Sequence, residues 1–277
     1  MDGCFYELFY TCTLPFLFFV RNGIYTGMLK VFFVGACTLI AVGVFAFLVY
    51  PYSPKEAVYV PPSIPSSIPT PIPTPLPTPI PILPVRVMHD VPFTVQAPTA
   101  NWGDPMYQNA CEEASILMAA RWISGKGLLQ QEALLELKSL SALAEKLFGY
   151  YLDESGQDTA TLAKEYIPHA TVTFIQNASI KTIMEKLAQG NVVLVPANGK
   201  KLHNPNFKQP GPLRHMLLIR GYDTVTNEFV TNDPGTRNGN GYRYPMQVLF
   251  DAMHTYDTGD TTPVHPTEKV MIVVGPL

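Results

Sequence analysis

The sequence predicts an α+β domain carried behind one transmembrane helix and an extended proline-rich stalk. Three observations lead there. A long apolar run from Met28 to Tyr50 carries a single charge, Lys30. Proline recurs at nearly every second position from Pro61 to Pro84. Beyond residue 85, segments of helical period come first and strand-like runs later, the order expected when helices pack on one antiparallel sheet.

Residues 1–27 form a short amino-terminal segment. Its apolar stretch, Leu14 to Val20, is too short to span a membrane and is followed by Arg21-Asn22-Gly23. Met28 is an alternative start, because Met-Leu-Lys before an apolar run is a common bacterial amino terminus.

Residues 28–50 are the membrane helix, since Val31 to Tyr50 has about the length that crosses a bilayer core. A cleaved signal peptide is the rival. No small-x-small site follows the run, however, which ends Leu48-Val49-Tyr50-Pro51. Val34-Gly35-Ala36-Cys37 resembles a lipoprotein cleavage box, but strongly apolar residues follow Cys37. Arg21 and Lys30 precede the span, and Lys55 beside Glu56 is all that closely follows it. The positive-inside rule then leaves the amino terminus cytoplasmic and the rest of a single-pass protein extracytoplasmic.

Residues 51–84 are the linker. Proline fixes its own φ and biases the preceding residue away from helix, so the segment extends as polyproline II. At ~3.1 Å per residue the stretch from Pro61 to Pro84 reaches roughly 70 Å. A docking site for proline-recognition domains is the alternative, but a place between membrane and domain suits a spacer, one that holds the domain within a cell wall.

Residues 85–277 are enough for one well-buried domain. Helices are expected over Cys111–Ile123, with Gly125 closing it, over Gln130–Leu147, and over Ile180–Gln189 before Gly190. Strands are expected over Val192–Val195, His215–Gly221, Glu228–Thr231 and Lys269–Val274. With charged residues at 15% and a net charge of −3, nothing points to nucleic acid. One cysteine, hence no internal disulfide, suits a bacterial exterior domain.

That cysteine, Cys111, is the only one after residue 37. A thiol acts as thiolate, and a helix amino terminus favours the charged form. Asn109 is the expected N-cap, with Cys111 in the first turn. Glu112 and Glu113 push the other way, so a positive partner is needed. His215 heads the apolar run Met216-Leu217-Leu218-Ile219, where a polar residue is out of place. A core histidine bonded to a carbonyl is the plain alternative. Asp233 ends a strand before Pro234-Gly235, and from there a carboxylate can accept the imidazole N–H; ordinary turn chemistry is its alternative.

Trp102 and Trp122 read as packing residues, Trp102 also as a cleft residue, and His203 as a solvated loop histidine. A zinc site from Cys111, His203, His215 and Asp233 lacks any compact ligand pair, so no metal or other cofactor is expected.

In order, Val91-Pro92-Phe93-x-x-Gln96, Cys111-Glu112-Glu113-Ala114-Ser115-x-x-Met118, His215 with Gly221-Tyr222-Asp223, and Asn232-Asp233-Pro234 resemble the motifs of papain-like cysteine peptidases. The nearest group is the bacterial C-thirty-nine-like branch, related to the double-glycine leader peptidases. The resemblance spans about residues 88 to 274. It implies a papain-like fold, a helix bearing the cysteine packed on an antiparallel sheet, and a peptide or protein substrate. It also implies Cys111 as nucleophile, His215 as general base and then acid, Asp233 as the orienting residue, and an oxyanion hole from the Cys111 N–H and a glutamine. Gln96 matches the family's segment; Gln108 is the alternative. Glu112 stands where leader peptidases proper often have glycine, so double-glycine specificity is not carried over.

Two rivals remain. A cell-wall amidase of the NlpC type suits the stalk, but Ala110 and Asp233 depart from its pattern. A catalytically silent peptide-binding module keeps the same residues.

Overall fold

The computed structural model describes residues 82–259 and 261–277. The segment 1–27, the expected membrane helix 28–50 and the linker as far as residue 81 lie outside the described residues. Among the described residues no helix is long and apolar enough to cross a membrane.

The strands are β1 (Arg86–Met88), β2 (Ala170–Gln176), β3 (Val192–Ala197), β4 (His215–Asp223), β5 (Glu228–Asn232), β6 (Asn240–Pro245), β7 (Thr255–Tyr256), β8 (Val264–His265) and β9 (Val270–Pro276). The helices are α1 (Pro105–Gln108), α2 (Cys111–Ile123), α3 (Gln130–Phe148), α4 (Gly156–Tyr166), α5 (Ile180–Ala188), α6 (Gly199–Leu202) and α7 (Met246–Ala252). The main sheet runs β2-β9-β3-β4-β5-β6 with β1 added to β4, while β7 pairs with β8. Every pairing is antiparallel, so the expected α+β class with an antiparallel sheet holds.

The central strands read as continuous apolar runs because both faces of the sheet are covered. Val192, Leu194, Met216, Leu218, Ile272 and Val274 point into a core shared with α2, α3 and α4. Their neighbours Val193, Val195, Leu217, Ile219, Met271 and Val273 point into a second core with α5 and α7. This strict alternation is the period of two built into a strand.

Helix α2 lies against β4 and α3, and its first nine residues, Cys111 to Ala119, are all buried. A helix buried on every side carries no narrow apolar stripe. It therefore takes Glu112, Glu113 and Ser115 into the interior with Ile116, Leu117 and Met118. Gly125, at φ +63°, ends it, as glycine does where the chain must turn left-handed.

The expected helices and strands are present within about two residues of their predicted ends. Helices α1, α4, α6 and α7 and strands β1, β2, β6, β7 and β8 were not predicted. β1 docks where β4 carries Gly221: a Cβ there would lie 2.2 Å from the Val87 carbonyl oxygen, so only glycine admits that strand.

Candidate active site

The α2 amino terminus departs from expectation. Ala110 is the N-cap and offers no side-chain acceptor. Asn109 instead closes α1, its Nδ2 donating to the Pro105 carbonyl at 2.9 Å, because a four-residue helix ends directly ahead of α2 and takes that side chain. The first N–H groups of α2 are thus left without a capping side chain, in the place where a negative charge is favoured.

Cys111 is buried at that end. Its Sγ accepts from the Met216 N–H at 3.3 Å, and its S–H donates to Glu112 Oε2 at 3.1 Å. Burial, and next the Glu112 charge, push the thiol well above its ordinary range. At rest the sulfur holds its proton.

The chain brings His215 into the same cleft as this thiol through its neighbour. Met216 reaches the sulfur, and His215, the first residue of β4, lines the same cleft as Cys111. Strand β5 runs antiparallel with Asn232 opposite Leu218, so the chain past Asn232 heads back toward the start of β4. There Asp233 Oδ1 lies 2.8 Å from His215 Nε2. An ionised carboxylate only accepts, so Nε2 carries the hydrogen and Nδ1 keeps the lone pair that can take a thiol proton.

Asp233 is fully buried and firmly held. Its Oδ2 accepts from the Tyr244 hydroxyl at 2.6 Å and its Oδ1 from the Gly235 N–H at 3.0 Å. Asn204 Nδ2 donates to the Tyr244 oxygen at 2.6 Å. Burial pushes the Asp233 carboxyl up, but His215 and these donors outweigh it and hold the group below the usual carboxylate range. Phe207 stands edge-on to the imidazole, with ring centres 5.3 Å apart.

Of the two glutamines, Gln96 is buried, and its Nε2 donates to the carbonyls of Tyr107 at 3.2 Å and Gln108 at 2.8 Å, just ahead of Cys111. Gln108 is exposed. Both line the cleft. The Gln96 N–H donates to Pro234 O at 3.0 Å, and Asn232 Nδ2 donates to Val91 O and Pro92 O at 3.1 and 3.2 Å. The Val91-to-Gln96 segment is thereby stitched to the Asn232-Asp233-Pro234 turn.

Behind the thiol lies a buried acidic group. Glu112, Glu113 and Glu154 offer oxygens within 4.8 Å of one another. Glu112 accepts from Tyr256 OH at 2.5 Å, and Glu113 from Ser141 Oγ at 2.9 Å. Burial, then Glu112, pushes Glu113 up to about 8, and burial, then Glu113, raises Glu154 well above its ordinary range. Carboxylates this close take up protons or a hard cation to relieve their repulsion.

The cleft encloses about 870 Å³ between residues 206–215, residues 235–238 and the start of α2. Trp102 lines it, whereas Trp122 packs against the helical core and the His89 ring. His203 is exposed at the end of α6 with φ +53° and is not among the cleft residues, so the four zinc candidates are not brought together. Tyr244, Asn204, Phe207 and Tyr256 were missed. Each reaches the site by tertiary contact, which no short sequence window contains. Chemically the cleft offers a thiol, an imidazole oriented by a carboxylate, and N–H donors at a helix end, the requirements of acyl transfer.

Residues 88–258 match the model of the Peptidase_C39 like family. Similar solved structures include a protein from Bacillus anthracis described as a C39-like peptidase, 14% identical with a TM-score of 0.39, the match covering 68% of this chain and 96% of that one. Another is xylellain, a cysteine protease from Xylella fastidiosa, 17% identical with a TM-score of 0.29, covering 71% and 87%. No curated protein matches the chain.

Proposed function

This chain belongs to the Peptidase_C39 like family and is a cysteine-type peptidase acting on peptides or proteins; from that premise we propose that Cys111 is its nucleophile, His215 its general base and acid, and Asp233 the residue that orients the imidazole. The observation that carries the reading is the 2.8 Å bond from His215 Nε2 to the buried Asp233. It leaves Nδ1 free to take a proton, on a residue that shares the cleft with Cys111 and whose successor's N–H is bonded to the sulfur.

In the first step Nδ1 takes the thiol proton as sulfur attacks the carbonyl carbon, and the oxyanion is met by the Cys111 N–H and Gln96. For Gln96 to donate there, its amide gives up the longer bond to Tyr107 O. The imidazolium, stabilised by Asp233, then protonates the leaving amine and an acyl-thioester remains. Water, deprotonated by the same imidazole, releases the acid and restores the thiol.

The long apolar run at 28–50 and the proline-rich linker at 51–84 support a domain anchored outside the cytoplasm on a stalk, within reach of the cell wall. Protease treatment of intact cells tests this: a domain that stays protected while a cytoplasmic marker also survives argues against it.

The catalytic assignment is tested by iodoacetamide labelling of the full chain, read at the Cys111 peptide by mass spectrometry. Wild-type Cys111 is expected to react faster than in His215→Ala. Equal rates refute the pairing.

A further inference from the structure

We propose that the cleft selects peptides bearing a carboxylate on the leaving-group side of the scissile bond, and that Lys208 and Arg237 recognise it. This rests on the assignment of Cys111 and His215 made above, because the general acid marks the side from which the amine departs.

Two loops flank His215. The 203–214 loop sets Phe207 against its ring, and in the turn after Asp233 a Cβ at Gly235 would lie 2.9 Å from His215 Cε1. Substrate residues following the scissile bond therefore run between these loops. Each loop puts one exposed cation on the cleft wall, Lys208 on the first and Arg237 on the second. Neither forms an ion pair among the described residues. Arg214 also lines the cleft, but its guanidinium is engaged with Thr262 O and the Tyr256 ring.

The carboxylate lining the cleft, Asp153, is buried. The accessible wall is thus cationic on a chain whose net charge is −3. The cations are also mounted on a braced frame. Asn238 Nδ2 donates to Asn206 Oδ1 at 2.9 Å across the two loops. Asn206 Nδ2 in turn donates to Asn204 Oδ1 at 3.0 Å, and Asn204 is the residue bonded to Tyr244 beneath the site. Bracing lowers the ordering cost of binding and makes charge recognition selective.

The carboxylate can belong to an Asp or Glu side chain or to a free carboxyl terminus. Quenched fluorescent peptides offered to the full chain separate the two. One arm varies the two positions after the cut among Glu, Gln and Lys within longer peptides, and the other compares a terminal acid with its amide. Glu over Gln, or acid over amide, is expected by about tenfold in kcat/KM, shrinking as salt is added. In the double variant Lys208→Ala/Arg237→Ala that ratio is expected to fall to about one. A wild-type ratio near one in both arms, or a ratio that persists in the double variant, overturns the charge selection. If cleavage is still abolished by Cys111→Ala, the nucleophile assignment stands without it; cleavage that survives Cys111→Ala overturns both.

Discussion

Replacing Glu112 by glutamine separates the two causes that keep the Cys111 thiol protonated. Burial is the larger and is untouched by the change; the Glu112 charge is the next. Its Oε2 stands 3.1 Å from Sγ, and two unit charges about 4 Å apart interact by ~4 kcal/mol at an effective dielectric constant of ~20. Burial also raises Glu112 itself, so it carries only part of a charge. About a third of that energy, ~1.4 kcal/mol, corresponds to about a tenfold faster alkylation near neutral pH. Glutamine keeps the volume, and its Oε1 still accepts from Tyr256. The assay is iodoacetamide labelling of the full chain from about pH 5 to about pH 9, read at the Cys111 peptide. Because the Glu112 carboxylate pushes the thiol up, its removal moves the rising limb toward lower pH. Slower labelling in Glu112→Gln would make this carboxylate the thiol's base rather than its brake, and the reasoning fails.

Gly235→Ala puts a Cβ 2.9 Å from His215 Cε1, 3.0 Å from Phe207 Cε1 and 3.3 Å from Asp233 Oδ1; the displaced imidazole should lower kcat by roughly tenfold to a hundredfold with KM little changed, and an unchanged kcat contradicts the placement of the ring. Glu113, with an ordinary value of 4.5, is pushed up to about 8 by burial and Glu112. Such a group stabilises the fold fully below its unfolded value, and the contribution is lost as pH rises through its folded value. The wild-type Tm should therefore fall more steeply across that window than the Tm of Glu113→Gln, and equal slopes refute the shift.

What the sequence revealed follows how local each signal is. Helices α2, α3 and α5 and strands β3, β4, β5 and β9 carry dense apolar patterns, so they could be read from short windows. Strands β2 and β6 sit at the two ends of the sheet order and are only partly buried; their patterns are correspondingly weak. Helix α4 opens Gly156-Gln157-Asp158-Thr159, with Ser155 as the cap that marks it, but its polar first turn resembles a loop. β1 has three residues and exists only because Gly221 leaves space for it. In the candidate site, Cys111 stood out as a lone thiol and His215 as a polar residue heading an apolar run, while Asp233 drew notice by its place at a strand end and by the family resemblance. Tyr244 was not, because its hydroxyl reaches Asp233 through the β5–β6 register, which no sequence window contains. Asn109 misled for a related reason: it has the right chemistry for a cap, but α1 claimed it.

The site joins two opposed environments. On the Asp233 side, the buried carboxylate and its donors from Tyr244, Gly235 and Asn204 stabilise positive charge on the imidazole. On the α2 side, burial and the Glu112 and Asp153 carboxylates resist negative charge on the sulfur. One environment favours half of an ion pair and the other disfavours its partner. A preformed thiolate–imidazolium pair is therefore opposed at rest, and proton transfer to His215 accompanies attack by the sulfur; in the proposed acyl transfer, charge then passes from sulfur to an oxygen by the α2 N–H groups. That arrangement places the rate advantage in the oxyanion donors more than in a reactive thiol. On the proposed mechanism, Gln96, bonded to the carbonyls that lead into Cys111, would be as consequential for turnover as the histidine.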